Sequence, residues 1–219
     1  MAEERYDVVV VGAGNAALCA ALAAREQGAS VLMLERAPYA ERGGNSRYTA
    51  GAIRVAFDGV DDLKRVMPDL SEHELATTDF GSYPADQFFA DMARITQYRA
   101  DPDLTTLLVN MLVRSAGAAG IEIRYGCGAE ALIEEDGAVH GVIAREGGTR
   151  RGIRAGAVVL ASGGFEANAE WRTRYLGPGW DLAKVRGTRF NSGDGIAMAR
   201  AAGAMPWGNW SSAHAVGRH

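Results

Sequence analysis

The sequence predicts an α/β fold that opens with a strand–helix–strand unit, and three observations near the start of the chain support this. Residues 6–11 form a short Val-rich apolar run, which is typical of a buried parallel strand. Residues 17–27 are rich in Ala and Leu and predict a helix that ends at Gly28. Residues 30–34 form a second apolar run, which Glu35 closes.

Length and composition indicate a folded protein. The chain has 219 residues, of which 47% are hydrophobic and 23% are charged, so a largely disordered chain is excluded. The formal net charge of -4 argues against a broad nucleic-acid-binding surface, and we expect no nucleic-acid partner. These values suit one domain, or one domain and part of another.

The cysteine count and the hydropathy pattern bear on the cellular setting. The 2 cysteines form neither a CxxC pair nor a metal-ligand spacing, so we expect no metal site and a reduced, cytoplasmic compartment. No apolar run approaches the ~20 residues needed to cross a bilayer, so no transmembrane segment is expected. Peripheral contact with the inner membrane through a partner stays open.

The middle of the chain predicts a helical insertion followed by a β-meander. Residues 58–120 are mostly helical in pattern, and the two stronger helices are expected at 85–98 and 103–119. After them the sequence predicts a strand at 121–125, a meander of three extended pieces, a further buried strand and a last helix. These later elements are expected at 129–133, 139–145, 149–154, 157–161 and 194–202.

The turn after the first strand carries a GxGxxA fingerprint, which reads GAGNAA over residues 12–17. Gly12 permits the tight turn out of the strand, and Gly14 lets a pyrophosphate approach the backbone. Ala17 is small enough for close helix–strand packing, and the helix N-terminus beyond offers free N–H groups. The pattern therefore predicts a dinucleotide site; the alternative is a Gly-rich turn in an unrelated α/β fold.

Glu35 narrows the choice of nucleotide. It follows the glycines by about 20 residues, at the position where a carboxylate accepts hydrogen bonds from ribose hydroxyls. A free 2′-phosphate would be repelled by this carboxylate, so the predicted nucleotide is not NADP. FAD and NAD share the fingerprint, and a simple NAD domain usually continues with another strand–helix pair. This chain instead inserts a long loop and the helical segment.

Two further motifs carry a family resemblance. Residues 43–52 read GGNSRYTAGA and resemble the GGN[ST]xxxAGG loop of the fumarate reductase/succinate dehydrogenase flavoprotein family. Residues 191–195 read NSGDG and resemble the NTGDG motif of that family. The motif order holds along nearly the whole chain, and its layout resembles the flavoproteins of the glutathione reductase type. The resemblance implies a Rossmann-like FAD-binding domain with a β-meander and a helical insertion.

The resemblance also implies domain limits and a branch of the family. An FAD-binding domain would occupy residues 1–204, with its meander at about 129–154, and residues 205–219 would begin a capping or substrate domain that this chain lacks. Residues 35–54 and 203–219 are most similar to the FAD-dependent tricarballylate dehydrogenases of this family.

Site residues follow from the same resemblance. Gly12, Gly14 and Ala16 would hold the pyrophosphate, Glu35 the adenosine ribose, and Asp194 a ribityl or pyrophosphate group. The remaining cofactor contacts would come from Asn45, Ser46, Ala50, Gly51, Ala52, Ala129, Ala161, Ser162 and Gly163. Core packing is the alternative interpretation of Ala129 and Ala161. Ala52 departs from the second Gly of the family loop.

Two positions bear on flavin attachment and on substrate. Some relatives attach the flavin covalently to a histidine, and Asn45 stands at that position here, so FAD is expected to bind non-covalently. His214 matches a family histidine that helps to bind a substrate carboxylate; a surface histidine is the alternative. The acid/base arginine and other carboxylate-binding residues of the family lie in segments beyond residue 219, so no catalytic residue is assigned.

The resemblance implies hydride transfer between FAD and a C–H beside a carboxylate, with a small polycarboxylate as substrate and a membrane-linked electron-transfer partner. Two alternatives stay open. The substrate is fumarate/succinate or a 3-ketosteroid in one of them. In the other, the chain is a non-catalytic FAD-binding module.

Overall fold

The computed structural model describes residues 4–48, 56–66, 70–95 and 112–211. Its strands are β1 Arg5–Val11, β2 Val31–Glu35, β3 Glu122–Tyr125, β4 Cys127–Glu135, β5 Ala138–Glu146 and β6 Thr149–Leu160. Its α-helices are α1 Asn15–Glu26, α2 Val60–Val66, α3 Glu72–Thr77, α4 Ala85–Ile95, α5 Leu112–Ala118, α6 Ala169–Leu176 and α7 Asp194–Ala201. Short 3-10 helices cover Tyr39–Glu41, Gly44–Tyr48 and Trp180–Leu182.

The strand–helix–strand start forms as predicted. Strands β1 and β2 pair in parallel, with Val8 opposite Val31. Helix α1 connects them and ends in a Schellman motif, in which the N–H of Gly28 donates to the carbonyl of Arg25 at 2.9 Å. Gly28 adopts a φ of +84°, a left-handed conformation that favours glycine.

All six strands join one mixed sheet in the order β3-β2-β1-β6-β5-β4. The first three pairings, from β3 to β6, are parallel, and β6-β5-β4 is an antiparallel meander. Strands β3 and β4 stand at opposite ends of this order, yet Gly126 alone connects them. The meander must therefore fold back over the parallel strands, as the contacts between β2 and β4 indicate. This architecture confirms the predicted α/β fold class.

Strand β6 differs from the prediction. The sequence predicted separate strands at 149–154 and 157–161, but the structure has one strand from Thr149 to Leu160. Its first half pairs antiparallel with β5 and its second half pairs in parallel with β1. Gly156 is no turn residue here: a Cβ at this position would lie 3.0 Å from the carbonyl oxygen of Asp7 on β1. Close approach of two strands explains this glycine.

Alternate residues of the parallel strands face two layers. On one face, Val9 of β1 and Leu32 of β2 are fully buried against the meander and α7. On the other face, Val10 and Met33 are fully buried against α1 and α5. The parallel strands are apolar on both faces because both are covered. The layers are therefore α1 with α5, the parallel strands, and the meander.

The described residues divide into two compact units. The first holds the sheet with α1, α5, α6 and α7. The second comprises residues 56–66, 70–95 and 207–209, and contains α2, α3 and α4. It includes a capping box in which Ser71 and Glu74 begin α3. Its helices lie within the predicted insertion; most of the helix predicted at 103–119 lies outside the described residues.

Candidate functional site

A cleft of about 230 Å³ opens where three parallel strands end. Its walls come from the residues that follow β1, β2 and β6, from the N-termini of α1 and α7, and from the start of the meander. The predicted cofactor residues that the structure describes all line this cleft: Gly12, Gly14, Ala16, Glu35, Asn45, Ser46, Ala129, Ala161, Ser162, Gly163 and Asp194. Ala50, Gly51, Ala52 and His214 lie outside the described residues.

Gly12 makes the turn out of β1 and lies against the segment that follows β6. Its φ is +113°, and a Cβ there would lie 2.5 Å from the carbonyl oxygen of Ala161. Its N–H donates to the carbonyl of Leu34 at 2.8 Å. Any side chain at this position would displace the segment after β6, so glycine is needed for space as well as for conformation.

The N-terminus of α1 faces the cleft. Gly14 is its N-cap and provides no side-chain acceptor. The N–H of Asn15 donates instead to Ser46 Oγ at 3.1 Å. Ala17 is fully buried against the sheet, as expected from its size. The helix therefore presents its positive end to the cleft, close to a hydroxyl group.

Glu35 ends β2 and is only 6% exposed. Its Oε1 accepts a hydrogen bond from the N–H of Ala37 at 2.9 Å, which fixes the carboxylate in the cleft wall. The position agrees with the expected role as an acceptor for ribose hydroxyls.

Asp194 begins α7 and is held by an ion pair. Arg36 Nη1 donates to Asp194 Oδ2 at 2.7 Å and to Ser192 Oγ at 2.8 Å. Burial alone would raise the pKa of Asp194, but the hydrogen bonds from Arg36 and Ser192 outweigh burial and hold this pKa below its ordinary value. Asp194 therefore stays ionised in the cleft wall.

The segment after β6 fits closely against the loop that leads into α7. A Cβ on Gly163 would lie 2.7 Å from Asn191 Nδ2, and one on Gly195 would lie 2.1 Å from Ser162 Oγ. Asn191 is only 6% exposed, and its Nδ2 donates to Glu166 Oε2 at 3.3 Å. Small residues are thus needed on both sides of this contact.

Asn45 and Ala129 each have a structural contact as well as a place in the wall. Asn45 Oδ1 accepts a hydrogen bond from the N–H of Thr188 at 2.9 Å, which ties the first loop to the segment before α7. Ala129 is 3% exposed and belongs to the core between the parallel strands and the meander. The side chain of Ala129 packs in the core and the residue also lines the cleft, so the core packing is observed and the cofactor contact stays a prediction.

Among the wall residues that sequence reasoning did not assign to the site are Arg36 and Asn191. Arg36 directly follows the acid at the carboxyl end of β2, which is the place where α/β sheets bind ligands, so its position was a usable signal. Asn191 belongs to the NSGDG motif, but only the contact with Gly163 reveals why a buried amide stands there.

These features define a dinucleotide-binding domain. After the meander, the end of β6 and the segment that follows it return to the cleft. Comparison with known families is consistent with that class: the family described as FAD binding domain matches residues 7–75 and 60–212. The chain belongs to this family, and FAD is the cofactor that the family binds.

Two curated relatives extend the comparison. The vinyl phenol reductase of Lactiplantibacillus plantarum is 29% identical over 244 residues, covering 94% of this chain and 47% of that protein. The fumarate reductase (cytochrome) of Shewanella frigidimarina is 27% identical over 234 residues, covering 91% of this chain and 40% of that protein. The chain therefore spans less than half the length of these relatives.

A solved structure shares the fold. The open conformation of a flavocytochrome c3 fumarate reductase superposes with a TM-score of 0.70 and 22% identity, covering 92% of this chain and 41% of that one. The comparisons support the fumarate reductase flavoprotein family that the sequence motifs resemble. Tricarballylate as the particular substrate stays a prediction.

The residues of the cleft suit FAD. Gly12 and Gly14 leave backbone accessible at the positive end of α1, where a pyrophosphate is stabilised. Glu35 and Asp194 place two carboxylate acceptors in the cleft wall, where hydroxyl groups of the cofactor sugars can donate. Within the described ranges, no helix is both long and apolar enough to cross a membrane. Nor do three His, Cys, Asp or Glu side chains of those ranges cluster as a metal site would require.

Proposed function

We propose that this chain is the FAD-binding part of an oxidoreductase that interconverts a carbon–carbon single bond and a double bond beside a carboxylate. The observation that carries the proposal is the single cleft in which the fingerprint, Glu35 and the NSGDG segment meet. Two relatives support the reaction type, since fumarate and a vinyl phenol, which their names give, both contain a carbon–carbon double bond.

The residues of this chain hold and orient the cofactor. When bound, FAD supplies the hydride acceptor or donor. The α1 N-terminus offers N–H groups to the pyrophosphate, and the Glu35 and Asp194 carboxylates accept hydrogen bonds from sugar hydroxyls. Asn45 and Ser46 fix the loop that leads toward the flavin side of the cleft. No residue of this chain is assigned to proton transfer.

A small polycarboxylate is the proposed substrate. Tricarballylate, oxidised to cis-aconitate, is the first to test because residues 35–54 and 203–219 resemble the tricarballylate dehydrogenases. Fumarate with succinate is the alternative, which the relationship to a fumarate reductase favours. His214 is proposed to bind a substrate carboxylate, since an imidazole can donate a hydrogen bond to one.

Two further proposals concern attachment and electron flow. FAD is proposed to bind non-covalently because Asn45 cannot form the bond that a histidine makes to the flavin. Acid precipitation of the flavin-loaded protein should then release the yellow colour into the supernatant; a yellow pellet would contradict this. A membrane-linked partner is proposed to exchange electrons with the flavin of a cytoplasmic enzyme.

Turnover by the full-length product of the gene that encodes this chain tests the activity. We expect dye-linked oxidation of tricarballylate or succinate, or viologen-linked reduction of cis-aconitate or fumarate, by protein loaded with FAD. Flavin-loaded protein that turns over none of these would overturn the proposed activity and favour a binding module. Turnover of a 3-ketosteroid alone would overturn the carboxylate substrate and leave the flavoenzyme assignment standing.

A further inference from the structure

Arg36 joins two segments of the cleft that are far apart in sequence. It follows β2, whereas Ser192 and Asp194 lie at the start of α7. Arg36 Nη1 donates to both of them, and Ser192 Oγ also donates to Asp194 Oδ2. The three side chains therefore form one hydrogen-bonded cluster in the cleft wall, which we call the Arg36 cluster.

The charge balance of the cleft gives Arg36 a particular weight. Among the described residues that line the cleft, the charged side chains are Glu35, Arg36 and Asp194. FAD brings a doubly charged pyrophosphate into this space. The two carboxylates of the wall repel this negative pyrophosphate. Arg36 is the cation of the described wall that offsets their charge.

The hydrogen-bond geometry leaves half of Asp194 available. Arg36 and Ser192 both donate to the same oxygen, Oδ2. No side chain of the described residues donates to Oδ1, and the backbone N–H of Asp194 also donates to this carboxylate, so a remaining acceptor position of Oδ1 is open to a hydroxyl of a bound cofactor. The carboxylate is thus anchored through one oxygen and offers the other.

The Arg36 side chain is also held along its stem. A Cβ on Gly128, the second residue of the meander strand β4, would lie 3.2 Å from Arg36 Nε and 3.4 Å from its Cγ. The guanidinium therefore lies against a residue whose missing side chain makes room for it. Arg36 therefore lies against the start of the meander and also contacts the start of α7.

We propose that Arg36 is a positioning residue for FAD: it offsets the charge of Asp194, fixes this carboxylate through Oδ2 and leaves Oδ1 for a cofactor hydroxyl. This deepens the proposed function, because it rests on FAD being the molecule that the cleft binds.

The charges around Asp194 determine how binding should respond to pH. Burial raises the pKa of Asp194, whereas the hydrogen bonds from Arg36 and Ser192 lower it. Glu35 on β2 is the other charged group of the described wall, and the wall residues from β4 and from the segment after β6 carry no charge. Without Arg36, burial and the nearby negative charges raise the pKa of Asp194, and a bound pyrophosphate raises it further.

Affinity for FAD is the first measurement, made on the full chain by quenching of flavin fluorescence. Arg36→Met keeps an apolar stem and removes the charge, and should weaken FAD binding about tenfold to a hundredfold at pH 8. Arg36→Gln, which keeps donor groups, should weaken it in the same direction. Arg174→Met is the matched control, since it removes the charge from an exposed pair with Glu170, and should leave affinity unchanged.

A double variant distinguishes positioning from a loss of structure. Asp194→Asn keeps an acceptor oxygen without charge, so Arg36→Met combined with Asp194→Asn should bind FAD more tightly than Arg36→Met alone. Losses that simply add in the double variant would overturn the proposal, as would an Arg36→Met affinity equal to that of Arg174→Met. Wild-type chain that binds no FAD would instead remove the proposed function and this inference with it.

The pH profile is the second readout. Wild-type affinity should be nearly constant from pH 8 to pH 5 because Asp194 stays ionised. In Arg36→Met, affinity should rise as the pH falls across this range, because protonation removes the unpaired charge beside the pyrophosphate. A flat profile in Arg36→Met would overturn the assigned role, since a merely structural residue would not change the pH dependence.

Discussion

Gly12 combines a backbone requirement with a steric one. Its φ of +113° favours glycine, and a Cβ would lie 2.5 Å from the carbonyl oxygen of Ala161. Gly28 shares the positive φ, at +84°, but no described residue other than its chain neighbours comes within 4 Å of the place that its Cβ would occupy. Comparison of the two glycines therefore separates the effect of backbone conformation, which both share, from the effect of steric overlap, which only Gly12 would have.

Substitution of these glycines by alanine should have unequal effects. Gly28→Ala should lower the free energy of unfolding by about 1–2 kcal/mol, the cost of a left-handed conformation. Gly12→Ala should lower it by about 2–6 kcal/mol, because strain and overlap with the Ala161 backbone both act. Urea unfolding measures the difference.

Affinity for FAD gives the same pair a second readout. Gly12→Ala moves the wall that Ala161 and Ser162 form and should weaken FAD binding, whereas Gly28→Ala should not. Equal losses of stability and affinity in the two variants would contradict the role of close approach at Gly12.

Individual site residues differed in how far sequence could predict them. Gly12, Gly14 and Glu35 were predictable because their spacing and order are local. The pairing of Arg36 with Asp194 was not, because it depends on two strand ends and a helix start that only the folded chain brings together. The buried amide of Asn191 was missed for the same reason.

At the scale of elements, the sequence pattern predicted the helices and strands whose limits depend on neighbouring residues alone. β1, α1 and β2 formed where the apolar runs and Gly28 placed them. The sequence predicted two strands where the structure has the single strand β6; Gly156, which lies between the two predicted strands, is constrained by the Asp7 backbone on β1. Helix α6 went unpredicted because it has little apolar periodicity, although Asn168 caps it and Gly177 follows it.

Arg172 makes α6 more than a surface helix. The side chain is only 8% exposed, and its guanidinium donates to the carbonyls of Glu166, Trp180, Asp181 and Ala183. One cation thus satisfies several carbonyl groups of the loop that follows α6. That loop ends at Gly187, which is in close contact with Asn45 of the cleft wall.

Replacement of Arg172 should loosen this loop. Arg172→Met should lower the free energy of unfolding by about 2–4 kcal/mol, because four partly buried carbonyl groups lose charge-assisted hydrogen bonds. Hydrogen exchange of the loop amides should accelerate while the β1 amides stay protected. Arg174→Met, on the same helix but in an exposed pair, should change stability by less than about 0.5 kcal/mol. Matching effects of the two variants would refute the role given to Arg172.

At the scale of the whole molecule, ion pairs link segments that are distant in sequence. Arg124 of β3 donates to Glu122 and to Glu4, which precedes β1. The hydrogen bonds from Arg124 lower the pKa of both carboxyl groups, against the opposing effect of burial. Burial first, and then a hydrogen bond to Glu122, raises the pKa of Tyr6 beside them to about 12. The charge state of Glu4 and Glu122 in this cluster should therefore change in acid.

Acid should therefore destabilise the chain, and Arg124→Met should reduce that sensitivity. A carboxyl group whose pKa is lower in the folded state stabilises the fold above its unfolded pKa, and this contribution is lost as the pH falls. For Glu4 and Glu122 the loss should develop below about pH 4.5.

Urea unfolding of wild type and Arg124→Met at pH 7 and pH 3.5 measures this loss of stability in acid. The wild type should lose more stability between these two pH values than the variant does. Arg174→Met serves as the control and should follow the wild type. Parallel losses in wild type and Arg124→Met would contradict the assignment.

The position of β1 between β2 and β6 also has a consequence for biosynthesis. β2 leaves the ribosome soon after β1, but the residues of β6 that pair with β1 are synthesised about 150 residues later, and such distant pairing is slow. Until then the nascent chain exposes an apolar strand edge that can aggregate. Strand β6 also leads into the residues after it, Ala161 to Gly163, which line the FAD cleft. Cofactor capture is therefore a late event, and a ribosome stalled before β6 would carry a chain that has its glycine fingerprint but cannot retain FAD.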